Sequence, residues 1–130
     1  DREWEITCVS MGNPHCVVFV DHVDTFPLES VGQQFEWHPL FPEGVNTEFV
    51  KVIDRHTLKM RVWERGSGET LACGTGACAT AVAAVLNGYC DKNEDITVKL
   101  RGGDLIIRYT DDTVWMTGAA ETVFTGEVEI

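Results

Sequence analysis

The sequence predicts an α+β domain in which a largely antiparallel, in places mixed, β-sheet wraps around one central apolar helix. Two observations predict it. Short period-two runs rich in Val, Ile, Thr and aromatic residues recur along the whole chain, separated by Gly, Pro and Asp/Asn turn signals. One segment, A-C-A-T-A-V-A-A-V-L from Ala77 to Leu86, carries no charge on any face. A helix that is apolar all round has to be buried all round, which places it inside the sheet.

Taken in order, strands are expected at Glu5–Ser10, Cys16–Asp21, Thr47–Ile53, Thr57–Glu64, Ile96–Leu100, Leu105–Tyr109, Val114–Thr117 and Thr122–Glu129. Asp54-Arg55-His56, Gly102-Gly103 and Asp111-Asp112 supply tight turns between them. A first helix, Leu28 to His38, places Leu28, Val31, Phe35 and Trp37 at amphipathic spacing and must end before Pro39. The apolar helix is expected from about Gly74 to Asn87, closed by Asn87-Gly88 as a C-cap. Ala79, Val82, Ala83 and Leu86 are expected to be inaccessible on it.

The chain has 130 residues, 44% hydrophobic and 24% charged, which is the composition of one globular domain over residues 1–130. A domain of this size buries roughly two-thirds of its unfolded surface, so a core forms without disulfides or metals. Residue 1 is Asp, and a strand-like run starts almost at once, from Trp4 to Val9. The chain therefore reads as an excised domain with a portion missing N-terminally. Ten basic residues against 21 acidic ones give a formal charge of −11, which argues against nucleic acid and would repel an anionic substrate. A carboxylate site must then be built locally, from backbone amides or a placed arginine.

The five cysteines (Cys8, Cys16, Cys73, Cys78, Cys90) are odd in number and form no C-x-x-C pair. With no signal-like segment and no apolar run long enough to span a membrane, they indicate a reduced, cytoplasmic protein that does not engage a membrane. Cys8, Cys16, Cys78 and Cys90 are assigned to packing. Cys73 differs: it ends a glycine-rich stretch, E-R-G-S-G-E-T-L-A-C-G-T-G from Glu64 to Gly76, and opens the apolar helix. Unpaired N–H groups and the dipole at a helix start favour thiolate over thiol, and Gly74 and Gly76 let amides approach a bound anion. The same cysteine also suits a plain role as a small residue under a crowded helix. Nucleotide-binding patterns do not fit, because neither a P-loop nor a βαβ dinucleotide fingerprint is present.

Other polar residues have plain readings as well. Gly12-Asn13-Pro14 makes a good turn, His15 a strand histidine, Asn46 a loop residue, and Glu64-Arg65 a solvated strand end. His22, His38 and His56 have no partner at metal-ligand spacing, and no metal site is expected.

Four ordered segments nevertheless resemble the C-terminal domain of diaminopimelate epimerases: Gly12-Asn13-Pro14-His15, Gly44-Val45-Asn46, Trp63-Glu64-Arg65-Gly66, and E-T-L-A-C-G-T-G-A from Glu69 to Ala77, with H-P-L-F-P at His38–Pro42 in between. The resemblance implies the fold of that family and a cofactor-independent epimerisation of LL- to meso-diaminopimelate in lysine biosynthesis, without pyridoxal phosphate. Two cysteines work from opposite faces of the α-carbon, and each domain supplies one. By resemblance Cys73 is the C-terminal thiol, with His15 and Glu64 as its catalytic partners. Asn13, Asn46, Glu64 and Arg65 hold the distal amino-acid end of the substrate, Arg65 by a bidentate grip on its carboxylate. Gly74 and Thr75 offer amides to the carboxylate at the reacting carbon. The implied partners are the amino-acid substrate, the N-terminal domain of the same enzyme and a second copy in a homodimer; the isolated domain is expected to be inactive.

Two other functions compete. A proline-racemase-like half uses the same two-thiol logic but needs no grip for a second amino-acid head. A non-catalytic small-molecule binding module would keep the pocket alone. Phenazine-type isomerases of similar fold lack the thiol that Cys73 supplies.

Overall fold

The computed structural model describes residues 6–12, 14–39, 45–64, 68–70, 74–111, 113–118 and 121–126, without the side chains of Thr70, Gly118 and 121–126. The elements follow in the order β1 (Ile6–Ser10), β2 (Pro14–Phe19), α1 (Leu28–Glu36), β3 (Asn46–Asp54), β4 (Thr57–Glu64), β5 (Gly68–Thr70), α2 (Gly74–Leu86), β6 (Asp95–Leu100), β7 (Gly103–Tyr109), β8 (Val114–Gly118) and β9 (Glu121–Gly126). They build one nine-stranded sheet with neighbours in the order β1-β2-β3-β4-β6-β7-β8-β9, and β5 pairs beside β4. Neighbouring strands are antiparallel except for β2 with β3 and β4 with β6.

Each parallel pair needs a crossover, and each crossover contains a helix. The connection from β2 to β3 carries α1, and that from β4 to β6 carries α2. The two helices take opposite faces. Val17 of β2, Val50 of β3 and Leu58, Met60 and Val62 of β4 pack with α2, whereas Cys16, Val18, Phe49 and Trp63, at the alternate positions, pack with α1.

α2 touches β1 to β4 and β6 to β8, so the sheet encloses it as expected. Residues Ala77 to Ala84 are fully buried; small side chains allow this close approach from every side. Thr80 meets its polar obligation by donating from Oγ1 to Met60 Sδ at 3.0 Å. The helix closes on Gly88, whose φ of +79° is left-handed. Tyr89 N–H donates to the Ala84 carbonyl at 2.8 Å and Gly88 N–H to that of Val85 at 3.1 Å, the two bonds of a Schellman cap.

Four local expectations are corrected. Leu86 is 47% exposed rather than inaccessible, because the last turn of α2 runs past the rim of the sheet. Trp37 is 73% exposed, since α1 stops at Glu36 instead of His38. His38 precedes a proline, which disfavours helical backbone there. Gly68–Thr70, read as loop, forms β5 and pairs with Val62–Glu64. Cys8 is exposed on β1, an edge strand, instead of packing in the core.

α1 seats on the sheet through Leu28 and Phe35, and Gly32 lies against the Trp63 indole. The Trp63 Nε1–H donates to Glu36 Oε1 at 2.8 Å, pairing two otherwise costly buried polar groups. On the same face Arg61 grips Glu69 with two bonds of 2.9 and 2.8 Å and donates to the carbonyls of Val23 and Phe26. This guanidinium fork ties β5 to β4 and to the segment leading into α1, and it holds the Glu69 carboxyl below its ordinary range.

Candidate active site

The polar residues of interest lie on the α2 face of the sheet. The alternation that turns Val17, Val50 and Val62 toward α2 also turns His15, two residues before Val17, together with Glu48 and Asn46, two and four before Val50, and Glu64, two after Val62. Register then collects them at one end. His15 is opposite Asn46 across the parallel β2–β3 pair, Thr47 is opposite Trp63, and Glu64 is opposite Gly68.

The start of α2 follows β5 closely in the chain. Thr70 is paired with Val62, and only four peptide steps, at most roughly 14 Å, separate it from Gly74. Gly74 and Thr75 form the first turn of α2, whose leading N–H groups have no carbonyl of their own helix to bond. Met116 of β8 covers this turn: a Cβ on Gly74 would meet its Cε at 3.1 Å and its Sδ at 3.3 Å. Glycine therefore keeps the backbone close to its cover.

His15 is 1% exposed and Asn46 is 7% exposed; Glu64, Gly74 and Thr75 are half-buried. Asn13, Arg65 and Cys73 lie outside the described residues. Of the residues singled out from sequence, the structure thus brings His15, Asn46 and Glu64 to one end of one sheet face and places Gly74 and Thr75 in the first turn of α2. His22, His38 and His56 are exposed, and no cluster of three potential metal ligands occurs among the described residues.

One residue of the site was not anticipated. Glu48, fully buried, shares a 2.8 Å hydrogen bond between its Oε2 and His15 Nδ1. Burial drives its carboxyl up to about 7, against the stabilising bond and charge of His15, and nearby Glu64 pushes the same way. The available signal was its place in the run N-T-E-F-V: an acid at the inward parity of Val50 in a strand whose neighbours are apolar. Cys16, on the opposite face, is a poor acid for related reasons; burial first, then the adjacent Cys8, push its thiol far up.

Comparison with known proteins bears on this arrangement. The diaminopimelate epimerase family model matches residues 7–123. Relatives named diaminopimelate epimerase include one from Acetivibrio thermocellus, 62% identical over 99% of this chain and 46% of its own length, and one from Nostoc punctiforme, 58% identical over 98% and 46%. Another, from Methanococcus maripaludis, is 57% identical over the whole chain and 47% of its own length. The chain thus spans about half the length of the relatives it matches.

Among solved structures, a phenazine biosynthesis protein of the PhzF family from Enterococcus faecalis aligns with a TM-score of 0.64 at 19% identity, over 85% of this chain and 42% of its own. A probable proline racemase from Agrobacterium radiobacter gives 0.59 at 14%, over 86% and 40%. At such identities these two report the shared fold alone. Family model and whole-chain identity agree on one assignment: this chain belongs to the diaminopimelate epimerase family.

Proposed function

We propose that this chain is the C-terminal half of a two-domain diaminopimelate epimerase, acting in the cytoplasm in lysine biosynthesis and converting LL- to meso-diaminopimelate without a cofactor. The observation that supports the reading is the gathering of His15, Asn46 and Glu64 at one end of one face of the sheet. Cys73, which directly precedes Gly74, is the thiol on this side of the substrate. A second cysteine from an N-terminal domain serves the other side, because inversion at carbon needs a base on one face and an acid on the opposite one.

In one direction the Cys73 thiolate removes the α-proton, and negative charge spreads into the adjoining carboxylate. The amides of Gly74 and Thr75 stabilise that charge where it grows. The opposite thiol then delivers a proton to the other face, and His15 and Glu64 exchange protons with the thiols between turnovers. Asn13, Asn46, Glu64 and Arg65 hold the distal amino-acid head. A guanidinium bonded bidentately to that carboxylate fixes the long axis of the substrate and so aims its reacting carbon.

The test is incubation of LL-diaminopimelate in deuterated water with the chain alone and with the chain joined to its N-terminal domain, following α-deuterium and stereochemistry by NMR. Exchange and formation of the meso isomer are expected only in the joined protein, and a Cys73→Ala variant should abolish both. Turnover by the chain alone, or by the Cys73→Ala protein, refutes the two-thiol reading. Exchange of proline in place of diaminopimelate would favour the racemase alternative.

A further inference from the structure

We propose that Glu48 is a positioning residue for His15, clamping its Nδ1 so that the imidazole trades protons through Nε2, a role that rests on the reading of His15 given above. The geometry is specific. Glu48 Oε2 lies 2.8 Å from His15 Nδ1, and both side chains are wholly inaccessible. Neighbouring parallel strands set the two groups in place, with His15 opposite Asn46 and Glu48 two residues further along β3 on the same face. With Nδ1 committed, the ring cannot rotate without breaking a buried bond, and its tautomer is fixed by the acid rather than by solvent.

A packing role does not account for this acid. Glu48 Oε1 has no hydrogen-bond partner among the described residues, so the position carries the cost of a half-satisfied buried carboxyl. Val50 and Val62, which point the same way, show what the fold places there for packing alone. An apolar side chain of similar volume would remove that cost. What it could not do is share a proton with an imidazole.

His15 and Glu48 share one buried hydrogen bond, so a change at either is felt by the other. Among the described residues, the charged and titratable groups around the pair are few. Glu64 on β4 adds negative charge, Cys16 is the neighbour on β2, and α2, which packs over this face, contributes no charged side chain. Losing the carboxyl group should therefore free the His15 ring from its fixed orientation.

The experiment uses the joined two-domain protein with Glu48→Gln, which keeps shape but removes the charge, Glu48→Met, which removes charge and bond at similar volume, and Glu48→Asp as the conservative rescue. Kcat is expected to fall about 10-fold in Glu48→Gln and about 100-fold in Glu48→Met with KM nearly unchanged, and Glu48→Asp should recover part of the loss. One limb of the kcat/KM profile against pH should move in Glu48→Gln. In parallel, the imidazole ¹⁵N spectrum of His15 should show one hydrogen-bonded Nδ1 in the parent and lose that signature in Glu48→Met. A folded Glu48→Met protein with the parent's kcat, pH profile and ¹⁵N pattern overturns the inference; should that variant not fold, an unshifted pH profile with unchanged kcat in Glu48→Gln overturns it equally. A His15→Gln control separates the two ideas: activity lost there but kept across the Glu48 series removes the clamp alone, whereas activity kept in His15→Gln removes the functional reading of His15 and the clamp with it.

Discussion

Gly32→Ala should destabilise this domain even though alanine is the better helix former. In an open helix the exchange would gain about 1 kcal/mol. At position 32 the added Cβ would lie 2.5 Å from Trp63 Cγ, 2.6 Å from Cδ2 and 2.9 Å from Cβ, while ordinary contact begins at 3.4 Å. Cβ stays in place whatever the rotamer of Trp63, and swinging the ring to move Cγ and Cδ2 away would break its bond to Glu36. Relief needs about 0.9 Å of separation between α1 and β4. Overpacking of that kind costs roughly 1–3 kcal/mol, and the shift also stretches the buried bond from Trp63 to Glu36, with a further cost of order 1–3 kcal/mol. After the helix gain is subtracted, a net loss of about 1–5 kcal/mol remains, which for a chain of this length lowers the melting temperature by about 4–18 °C. The assay is thermal unfolding by circular dichroism, with Gln34→Ala on the exposed side of α1 as a control expected to differ little from the parent. A Gly32→Ala protein that melts as high as the parent would refute the close approach of α1 to the sheet.

Three further outcomes are expected. Ala83→Leu, at a fully buried position of α2, should cost about 1–3 kcal/mol in urea unfolding, whereas Leu86→Ser at the rim should stay within about 0.5 kcal/mol; equal effects would contradict the enclosure of α2. Limiting iodoacetamide followed by peptide mass spectrometry should label Cys73 and the exposed Cys8 ahead of the buried Cys16, Cys78 and Cys90, with burial raising Cys16 strongly and Cys90 to about 11; first labelling at any of these three would be contrary. Glu48, raised from 4.5 to about 7, keeps its proton in the folded state over a range where the unfolded chain releases it. Its contribution to stability is therefore full below about 4.5 and is lost as pH rises through about 7, by an amount of order 1–3 kcal/mol. Denaturant midpoints at pH 5 and 8 should differ less in Glu48→Gln than in the parent, and an equal difference would exclude a protonated Glu48.

The sequence was most legible where local chemistry decides the outcome. The absence of charge from Ala77 to Leu86 dictated enclosure, Gly88 dictated the end of α2, and Asp54 marked a turn whose side chain accepts the His56 N–H at 2.8 Å. Leu86 and Cys8 were misjudged because composition shows that a residue can be buried, while only the extent of the sheet shows whether anything covers it. The convergence of His15, Asn46 and Glu64 could be inferred by resemblance alone, since it depends on the parallel pairing of β2 with β3, set by contacts across α1 and invisible to period-two alternation. Glu48 was missed for a related reason: its inward parity hinted at burial, but its partner is 33 residues away and no local pattern points to it.

Parallel pairing of β2 and β3 also bears on how such a domain can change over generations. Here both strands begin at the same edge, and β4 ends there through Glu64. The connections that enter at Pro14 and Asn46 and leave after Glu64 therefore all open on one side of the sheet. Insertions in them reshape what meets a ligand while leaving the registers behind them intact, because loop length is thermodynamically cheap when the strands it joins are held elsewhere. One edge is free to diversify in specificity, and the enclosed helix is left as the part that tolerates least.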